Sequence, residues 1–291
     1  MKRLAACLAV SLLAAAAAAQ IGLPEDRFPP KGRYNNSVHR YFPDLDGRLN
    51  AVRYGRWRAL ETAWMSGINR TLDRDFSAYL RGLLADPPRF SPEAERVAPR
   101  FAREAAPLFR ALRWGQVFEQ EVVDVLASPD AEPSVSAARL ERALDLYRRE
   151  PWALTAPPDA RSNQAAVAAA PVSARILSSG TRLFAAAAED LAAADFGQQR
   201  WRVRDTVAEF DRSYASEKPP PDSTYWAGAR TVTGKYPGVG EHLDRIARFR
   251  GEIFAALVPG GETEDARRQR HDRVCAVARR YGIPTKGIRE Q

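Results

Sequence analysis

A polar segment near the N-terminus, residues 34–46, contains the side chains of this sequence best suited to acid–base chemistry. Its candidates for binding a sugar or a carboxylate are two amides and a guanidinium: Asn35, Asn36 and Arg40. Its candidates for proton transfer are an imidazole and a phenol, His39 and Tyr41. A polar arm lying on a helical body would have the same composition, because polar connecting segments run over protein surfaces. We favour the polar arm and keep the catalytic segment as the enzymatic hypothesis.

Acid–base catalysis by His39 would also need a carboxylate from one of the helices. Glu61 and Glu119 are the candidates, since both fall in segments with helical periodicity. The enzymatic hypothesis therefore expects His39, Arg40, Tyr41 and a helix carboxylate to meet in one pocket. A His39 that faces bulk solvent, with no carboxylate or arginine nearby, would exclude it.

His271 and Cys275 are four residues apart in a helical segment and therefore share one face. Together they could bind a soft metal such as copper, or a haem iron. Two ligands do not make a site, however, and Met1 and Met65 are the only methionines. A buried cysteine beneath a partly exposed histidine explains the pair better. The sequence also lacks the motifs of zinc proteases, c-type haem attachment, EF-hands and nucleotide-binding loops, so it predicts no metal and no cofactor.

Residues 235–243 contain a Pro-Gly-x-Gly turn before a predicted helix. This turn resembles the hairpin of helix-hairpin-helix DNA-binding modules, and the resemblance implies that backbone N–H groups at Gly238 and Gly240 bind a phosphate. The sequence departs from that pattern at Glu241 and His242, which follow the second glycine. An ordinary glycine-rich start of a helix is the alternative that we favour, and nucleic acid is not the expected partner.

Arginine supplies nearly all of the positive charge, because only five of the 44 basic residues are lysines. Six arginines crowd the last predicted helix: Arg267, Arg268, Arg270, Arg273, Arg279 and Arg280. Guanidinium groups suit phosphates and carboxylates, so Arg267 and Arg270 are candidate ligands for an anion. Solvated helix faces in an alanine- and arginine-rich composition are the alternative.

The first 19 residues have the layout of a secretory signal peptide: two basic residues, an apolar run and a small-residue cleavage site near Ala19. We therefore expect a periplasmic or secreted protein. Cleavage would remove Lys2 and Arg3 and lower the formal net charge from +8 to about +6. It would also remove Cys7 and leave Cys275 as the only cysteine, which excludes a disulfide within the mature chain.

The mature chain is predicted to be all-α, an irregular bundle of about eight to ten helices behind a Pro-rich, extended N-terminal lead. Apolar residues recur at three- and four-residue steps, and no segment shows the alternation of a strand. We assign 1–19 to the signal peptide, 20–43 to the lead and 44–291 to a single helical domain, with 216–236 as the candidate seam between two subdomains. A mean hydropathy of −0.41 excludes a polytopic membrane protein, and we expect no transmembrane span in the mature chain.

Local signals also predict several helix ends. Ser91 and Thr263 are the expected N-caps of the helices that follow them. Pro107 is expected to kink or split a long helix. Gly282, followed by Pro284, is expected to end the last helix.

No motif in the sequence fixes a reaction. We expect a non-catalytic binding or accessory protein, whose partner is an anionic component of the cell envelope or another exported protein. The first alternative is an exported enzyme that acts on an envelope polymer or glycan through His39 and a helix carboxylate. The second is metal or haem binding through His271 and Cys275. The oligomeric state is left open.

Overall fold

The computed structural model describes residues 37–66, 70–129, 132–155, 171–215, 230–258 and 263–289. This part of the chain is all-α, as predicted, and holds twelve helices rather than eight to ten. In chain order they are α1 (Ser37–Tyr41), α2 (Pro43–Ser66), α3 (Arg70–Ala85), α4 (Ala94–Val97), α5 (Pro99–Glu104), α6 (Ala106–Leu126), α7 (Pro133–Arg149), α8 (Pro171–Ala193), α9 (Phe196–Ala215), α10 (Arg230–Lys235), α11 (Pro237–Leu257) and α12 (Glu264–Arg280).

Helix α2 lies at the centre of the bundle and packs against α3, α5, α8, α9 and α11. The apolar spacing of its sequence predicts one buried face, but the helix is buried around most of its circumference. Its buried residues therefore include polar ones: Asn50, Arg53, Arg56 and Glu61. Because these side chains are shielded from solvent, they need hydrogen-bonding or charged partners within α2 or from the neighbouring helices.

Two predicted helix ends are confirmed at α12. The Thr263 side chain caps its N-terminus by accepting a hydrogen bond from the Ala266 N–H. Gly282 ends it with a φ of 74°, a left-handed conformation that glycine adopts without strain. The Ile283 N–H then donates to the Ala278 carbonyl at 2.9 Å and the Gly282 N–H to that of Arg279 at 3.1 Å, the hydrogen-bond pattern of a Schellman motif.

The stripe predicted as one long helix around Pro107 is divided into α4, α5 and α6. Pro107 lies in the first turn of α6, where its missing N–H leaves no helical bond unmade. The chain breaks helical geometry just before it, at Ala105. There the C-terminal tail packs against the break, since the Arg289 N–H donates to the Glu104 carbonyl at 2.8 Å.

The prediction that Ser91 is an N-cap is wrong. Glu93 is the residue before α4, and its side chain makes no capping bond. The Ser91 side chain bonds to Asn50 and Arg53 of α2 instead. A tertiary partner has thus taken the hydroxyl that the local pattern assigned to the helix end.

The predicted extended lead is shorter than expected, because Ser37–Tyr41 forms the helical turn α1. Residues 1–36, which include the predicted signal peptide, lie outside the described residues, as does most of the candidate seam at 216–236. Among the helices that the structure describes, none is long and apolar enough to cross a membrane.

Candidate functional site

The position of α1 is determined by a carboxylate from a distant helix. Asp124 on α6 accepts a hydrogen bond from the Val38 N–H at 2.9 Å, and the Ser37 N–H also bonds to it. The carboxylate therefore caps the N-terminus of a helix that is only five residues long. Because α1 is too short to be stable alone, this contact determines where His39 lies.

His39 forms a pair with the first turn of α2. Its Nδ1 lies 2.9 Å from Oδ2 of Asp46, seven residues along the chain. Since an ionised carboxylate only accepts hydrogen bonds, Nδ1 carries the proton in the neutral ring and Nε2 is left as the acceptor. The ring also stacks on Phe90, with 6.0 Å between the ring centroids.

A cavity of about 130 Å³ lies beside this pair. Its polar lining comes from α1, α2, α6 and the loop between α3 and α4, and it includes His39, Asp46, Asn50, Arg53, Ser91, Gln120 and Asp124. Arg89 and Phe90 also line it, and Phe90 is 68% exposed. The cavity therefore opens to solvent at an aromatic and a guanidinium group, and its buried polar groups lie deeper.

Arg53 is a buried cation in the wall of this cavity, with an exposed fraction of only 4%. Its Nη1 donates to Oδ1 of Asn50 at 2.8 Å and to Oγ of Ser91 at 3.0 Å. The Ser91 hydroxyl in turn donates to Oδ1 of Asn50. Burial lowers the pKa of Arg53, yet the guanidinium pKa starts so high that the group stays charged at neutral pH.

Asp124 is the buried carboxyl of the same cavity, with an exposed fraction of 3%. Burial is the main cause that raises its pKa to about 7; the nearby Asp46 also raises it, whereas the two capping N–H groups and Arg53 lower it. Its Oδ2 is buried and has no hydrogen-bond partner within the described residues. Most buried polar groups in proteins have a hydrogen-bond partner, and the described residues supply none to this oxygen.

A second charged layer lies behind Arg53 in the core. Glu119 on α6 pairs with Arg250 at 2.7 Å and with Arg56 at 3.7 Å. Arg56 also donates to the Thr181 hydroxyl at 3.2 Å. Burial, followed by the charge of Arg250, lowers the pKa of Arg56 well below its ordinary value. The core behind the cavity thus holds two buried arginines, Arg56 and Arg250, against one buried glutamate.

The structure brings His39 together with carboxylates, but not with the other candidates from its own segment. Tyr41 packs edge-on against Phe196, at 5.4 Å between ring centroids, and the Arg40 guanidinium lies over the Tyr41 ring. Neither lines the cavity. Asn35 and Asn36 lie outside the described residues.

Glu61 has a structural position. Its two carboxylate oxygens accept hydrogen bonds from the N–H groups of Arg100 and Phe101, at 3.1 and 2.9 Å. These are orphan donors in the first turn of α5, so Glu61 caps that helix from the side. This contact explains a buried carboxylate in α2 without any catalytic role.

The two candidate glycines of the Pro-Gly-x-Gly turn serve helix packing. Both lie in the first turn of α11, which begins at Pro237. A Cβ at Gly238 would lie 3.1 Å from Leu144 of α7, and one at Gly240 would lie 2.9 Å from the backbone of Thr233 in α10. The geometry is that of a glycine-rich helix start covered by its neighbours.

The candidate arginines of α12 differ in exposure. Arg270 is only 2% exposed, and Arg267 is half-buried. Burial lowers the pKa of Arg270, followed by the charges of Arg267 and Arg273. Arg270 therefore belongs to the interior of the bundle and not to an exposed anion-binding face.

His271 and Cys275 do lie together, with Sγ 3.5 Å from Nε2. Cys275 is buried, and burial raises the pKa of its thiol. Nε2 of His271 also lies 3.3 Å from the Ile288 carbonyl oxygen. No group of three or more potential metal ligands occurs among the described residues, so this pair has no third ligand there.

The residues that surround His39 were mostly not among the candidates. Asn50, Arg53, Ser91 and Asp124 have no motif in common, and each comes from a segment that the sequence assigns to an ordinary helix or helix start. Asp46 lies in the polar segment but has the spacing of a helix-start acid. Only packing brings these side chains to one cavity.

Comparison with family models, with curated proteins and with solved structures finds no match for this chain. The chemistry of the cavity is therefore the basis for a functional assignment.

Proposed function

We propose that the protein is an exported binding protein that holds a small polar ligand with an anionic group in the cavity beside His39. The single observation that carries the proposal is Arg53, a buried guanidinium in the cavity wall. The predicted signal peptide in residues 1–19 supports export. The ligand would be a free solute or the terminal group of an anionic envelope component.

Burial makes Arg53 a strong receptor for an anion. A buried charge loses its hydration, and the loss is offset only by charged or hydrogen-bonding partners. Asn50 and Ser91 engage one terminal nitrogen and are neutral, and the charges of Asp46 and Glu119 act on the guanidinium without a direct ion pair among the described residues. An anion in the cavity would give the guanidinium a charge-assisted partner, which is stronger than a neutral hydrogen bond.

The size of the cavity limits the ligand. A protein cavity of about 150 Å³ can hold benzene, which has six non-hydrogen atoms, so the 130 Å³ here suit a group of roughly five to seven non-hydrogen atoms. A polymer could insert only its end. The exposed Phe90 and Arg89 would then contact the part of the ligand that leaves the cavity.

Small anions test the proposal directly. Propionate, lactate, phosphate and L-alanine, each of which carries an anionic group, are compared with glycerol and ethylamine by thermal shift and calorimetry. We expect at least one anion to bind the wild type and to lose at least tenfold in affinity in R53Q. R270Q, which changes an equally buried arginine outside the cavity, controls for the general effect of removing a buried charge.

Since R53Q could lose structure, R89Q at the exposed mouth provides a second variant. It is expected to fold normally and to weaken binding severalfold. The proposal fails if no probe binds, or if every anion binds R53Q as well as wild type. Export is tested separately, because the mass of the mature protein from a cell-envelope fraction should correspond to cleavage near Ala19–Gln20.

A second candidate function is an acid–base enzyme that acts on an envelope glycan or polymer. The observation that favours it is the 2.9 Å contact between His39 and Asp46 in the wall of the same cavity as Asp124. Asp46 would hold the imidazole with Nε2 as the base, and Asp124 would be partly protonated near neutral pH. Such a pair can remove a proton from one atom of a substrate and donate one to another.

Turnover separates this candidate from simple binding. Envelope glycan fragments are incubated with the protein, and new reducing ends are measured. The enzyme predicts release that H39Q abolishes, while H271Q, which changes a histidine of α12, retains it. A protein that binds anions but releases nothing would contradict the enzyme and leave the binding function standing.

A further inference from the structure

We propose that the cavity beside His39 binds a small free α-amino acid, with its carboxylate on Arg53 and its ammonium group on Asp124. This inference rests on the proposed function, because it names the class of ligand for the same site. The two residues lie on different helices, α2 and α6, and line one cavity. The cavity thus has a buried cation and a buried carboxyl group in its wall.

The carboxylate end is assigned by the donors of Arg53. A guanidinium has five N–H donors in a planar fork, which matches the two oxygens of a carboxylate. Nη1 donates to Asn50 and to Ser91, and Nη2 and Nε donate to no acceptor among the described residues. The bonds from Nη1 hold the guanidinium in place, and its remaining donors are left for a ligand.

The position of the ammonium group is assigned by the carboxyl groups that line the same cavity as Arg53. Oδ2 of Asp124 is buried and has no partner within the described residues, while Oδ1 is used by the cap of α1. An ammonium group offers three donors and a positive charge, so it would be attracted to the carboxyl groups of Asp124 and Asp46 in the cavity wall. It would also reduce the repulsion between Asp124 and Asp46, which line the same cavity.

Neither half of such a ligand suits the cavity alone. A simple anion would bind Arg53 but lie close to the two carboxyl groups. A simple amine would bind Asp124 but lie close to Arg53, with Arg56 and Arg250 in the core behind it. A zwitterion places each charge beside its opposite and adds no net charge to the site.

The volume selects small side chains. Glycine, L-alanine and L-serine fall within the roughly five to seven non-hydrogen atoms that the cavity suits, whereas L-leucine exceeds them. A larger side chain would have to extend past Phe90 and Arg89 into solvent. We therefore expect affinity to fall from L-alanine to L-leucine and L-tryptophan.

Matched probes test the assignment of each end. L-alanine, propionate and ethylamine share one carbon skeleton and differ only in which charged groups they carry. Calorimetry at pH 8 is expected to give L-alanine at least tenfold higher affinity than propionate, and no binding of ethylamine. R53Q should lose both L-alanine and propionate, whereas R270Q should retain them.

D124N isolates the ammonium contact. Asparagine keeps an oxygen that can cap α1, so circular dichroism should show a folded protein. We expect this variant to lose at least tenfold in affinity for L-alanine and to bind propionate as well as or better than wild type. An equal loss for both probes would overturn the assignment of the ammonium group to Asp124.

The outcomes distinguish this inference from the function on which it rests. If propionate binds as tightly as glycine, L-alanine and L-serine, the amino-acid inference fails and the anion-binding function stands. If none of these probes binds in an Arg53-dependent way and phosphate and lactate also fail, both fall. Tight binding of ethylamine alone would contradict both.

Discussion

The Val38 N–H donates a 2.9 Å hydrogen bond to Asp124 across 86 residues of sequence. This bond connects the acidic wall of the cavity to the helix that carries His39. The same carboxyl group therefore has two functions in the proposed site: Oδ1 positions α1, and the charge of the group attracts the ligand. A substitution of Asp124 must therefore be tested for its effect on the position of α1 and for its effect on ligand binding.

Two of the buried carboxyl groups of α6, those of Glu121 and Asp124, predict an unusual pH dependence of stability. Burial, followed by the charge of Asp124, raises the pKa of Glu121 to about 8, and burial raises that of Asp124 to about 7. The folded protein thus keeps protons that the unfolded chain releases near pH 4. Folding stability should therefore fall as the pH rises from about 4.5 to 8.

Urea unfolding at pH 5, 6.5 and 8 measures this effect. We expect the free energy of unfolding to decrease by several kcal/mol over this range, since one unit of pKa shift corresponds to about 1.4 kcal/mol and the pKa of each carboxyl group is raised by more than one unit. E121Q should flatten the dependence, because its amide does not ionise. E141Q changes an exposed glutamate of α7 and should leave the dependence as in wild type; a wild-type slope in E121Q would contradict the assignment.

The helix ends at Thr263 and Gly282 could be predicted because capping depends on a few neighbouring residues. The burial of Asn50 and Arg53 could not, since it depends on which helices surround α2. The same distinction explains Ser91, whose local sequence favours an N-cap while its tertiary neighbours bind the hydroxyl. The all-α class follows from periodicity alone, but a cavity assembled from four segments requires their packing.

Substitutions of Glu61 test whether this carboxylate has a structural role or a catalytic one. E61A would leave the N–H groups of Arg100 and Phe101 without their acceptor in a buried place. An unsatisfied buried donor costs about 1–3 kcal/mol, so we expect the free energy of unfolding to fall by about 2–4 kcal/mol. E61Q keeps one acceptor oxygen and should lose less.

Ligand affinity is the second readout for these variants. Since Glu61 caps α5 and does not line the cavity, E61Q should bind the best anionic probe as wild type does. A tenfold loss of affinity in a folded E61Q would assign the residue to the site after all.

The contact between α2 and α8 depends on Gly180. A Cβ added there would lie 2.2 Å from Cγ1 of Val52 and 3.0 Å from Nη2 of Arg56, so one of the helices must shift. Overpacking of a core costs about 1–3 kcal/mol, and G180A should lower the free energy of unfolding by at least that amount. G82A is the matched control, because a Cβ at Gly82 in α3 meets nothing within 4 Å. There alanine should raise stability by about 0.5–1 kcal/mol through helix propensity.

The buried pairs of Glu119 predict the largest single effect on stability. E119Q removes the charge that faces both Arg250 and Arg56, and it leaves two buried guanidinium groups without a counter-charge. Breaking a buried ion pair on one side costs about 3–5 kcal/mol. We expect urea unfolding of E119Q to show a loss of this size, with the anionic probes partly restoring stability because they bring a negative charge near Arg53.

E209Q breaks an exposed pair with Arg212 and should cost less than about 1 kcal/mol. Equal effects of the two variants would show that the arginines behind the cavity do not carry uncompensated charge, and would remove the electrostatic argument for an anionic ligand.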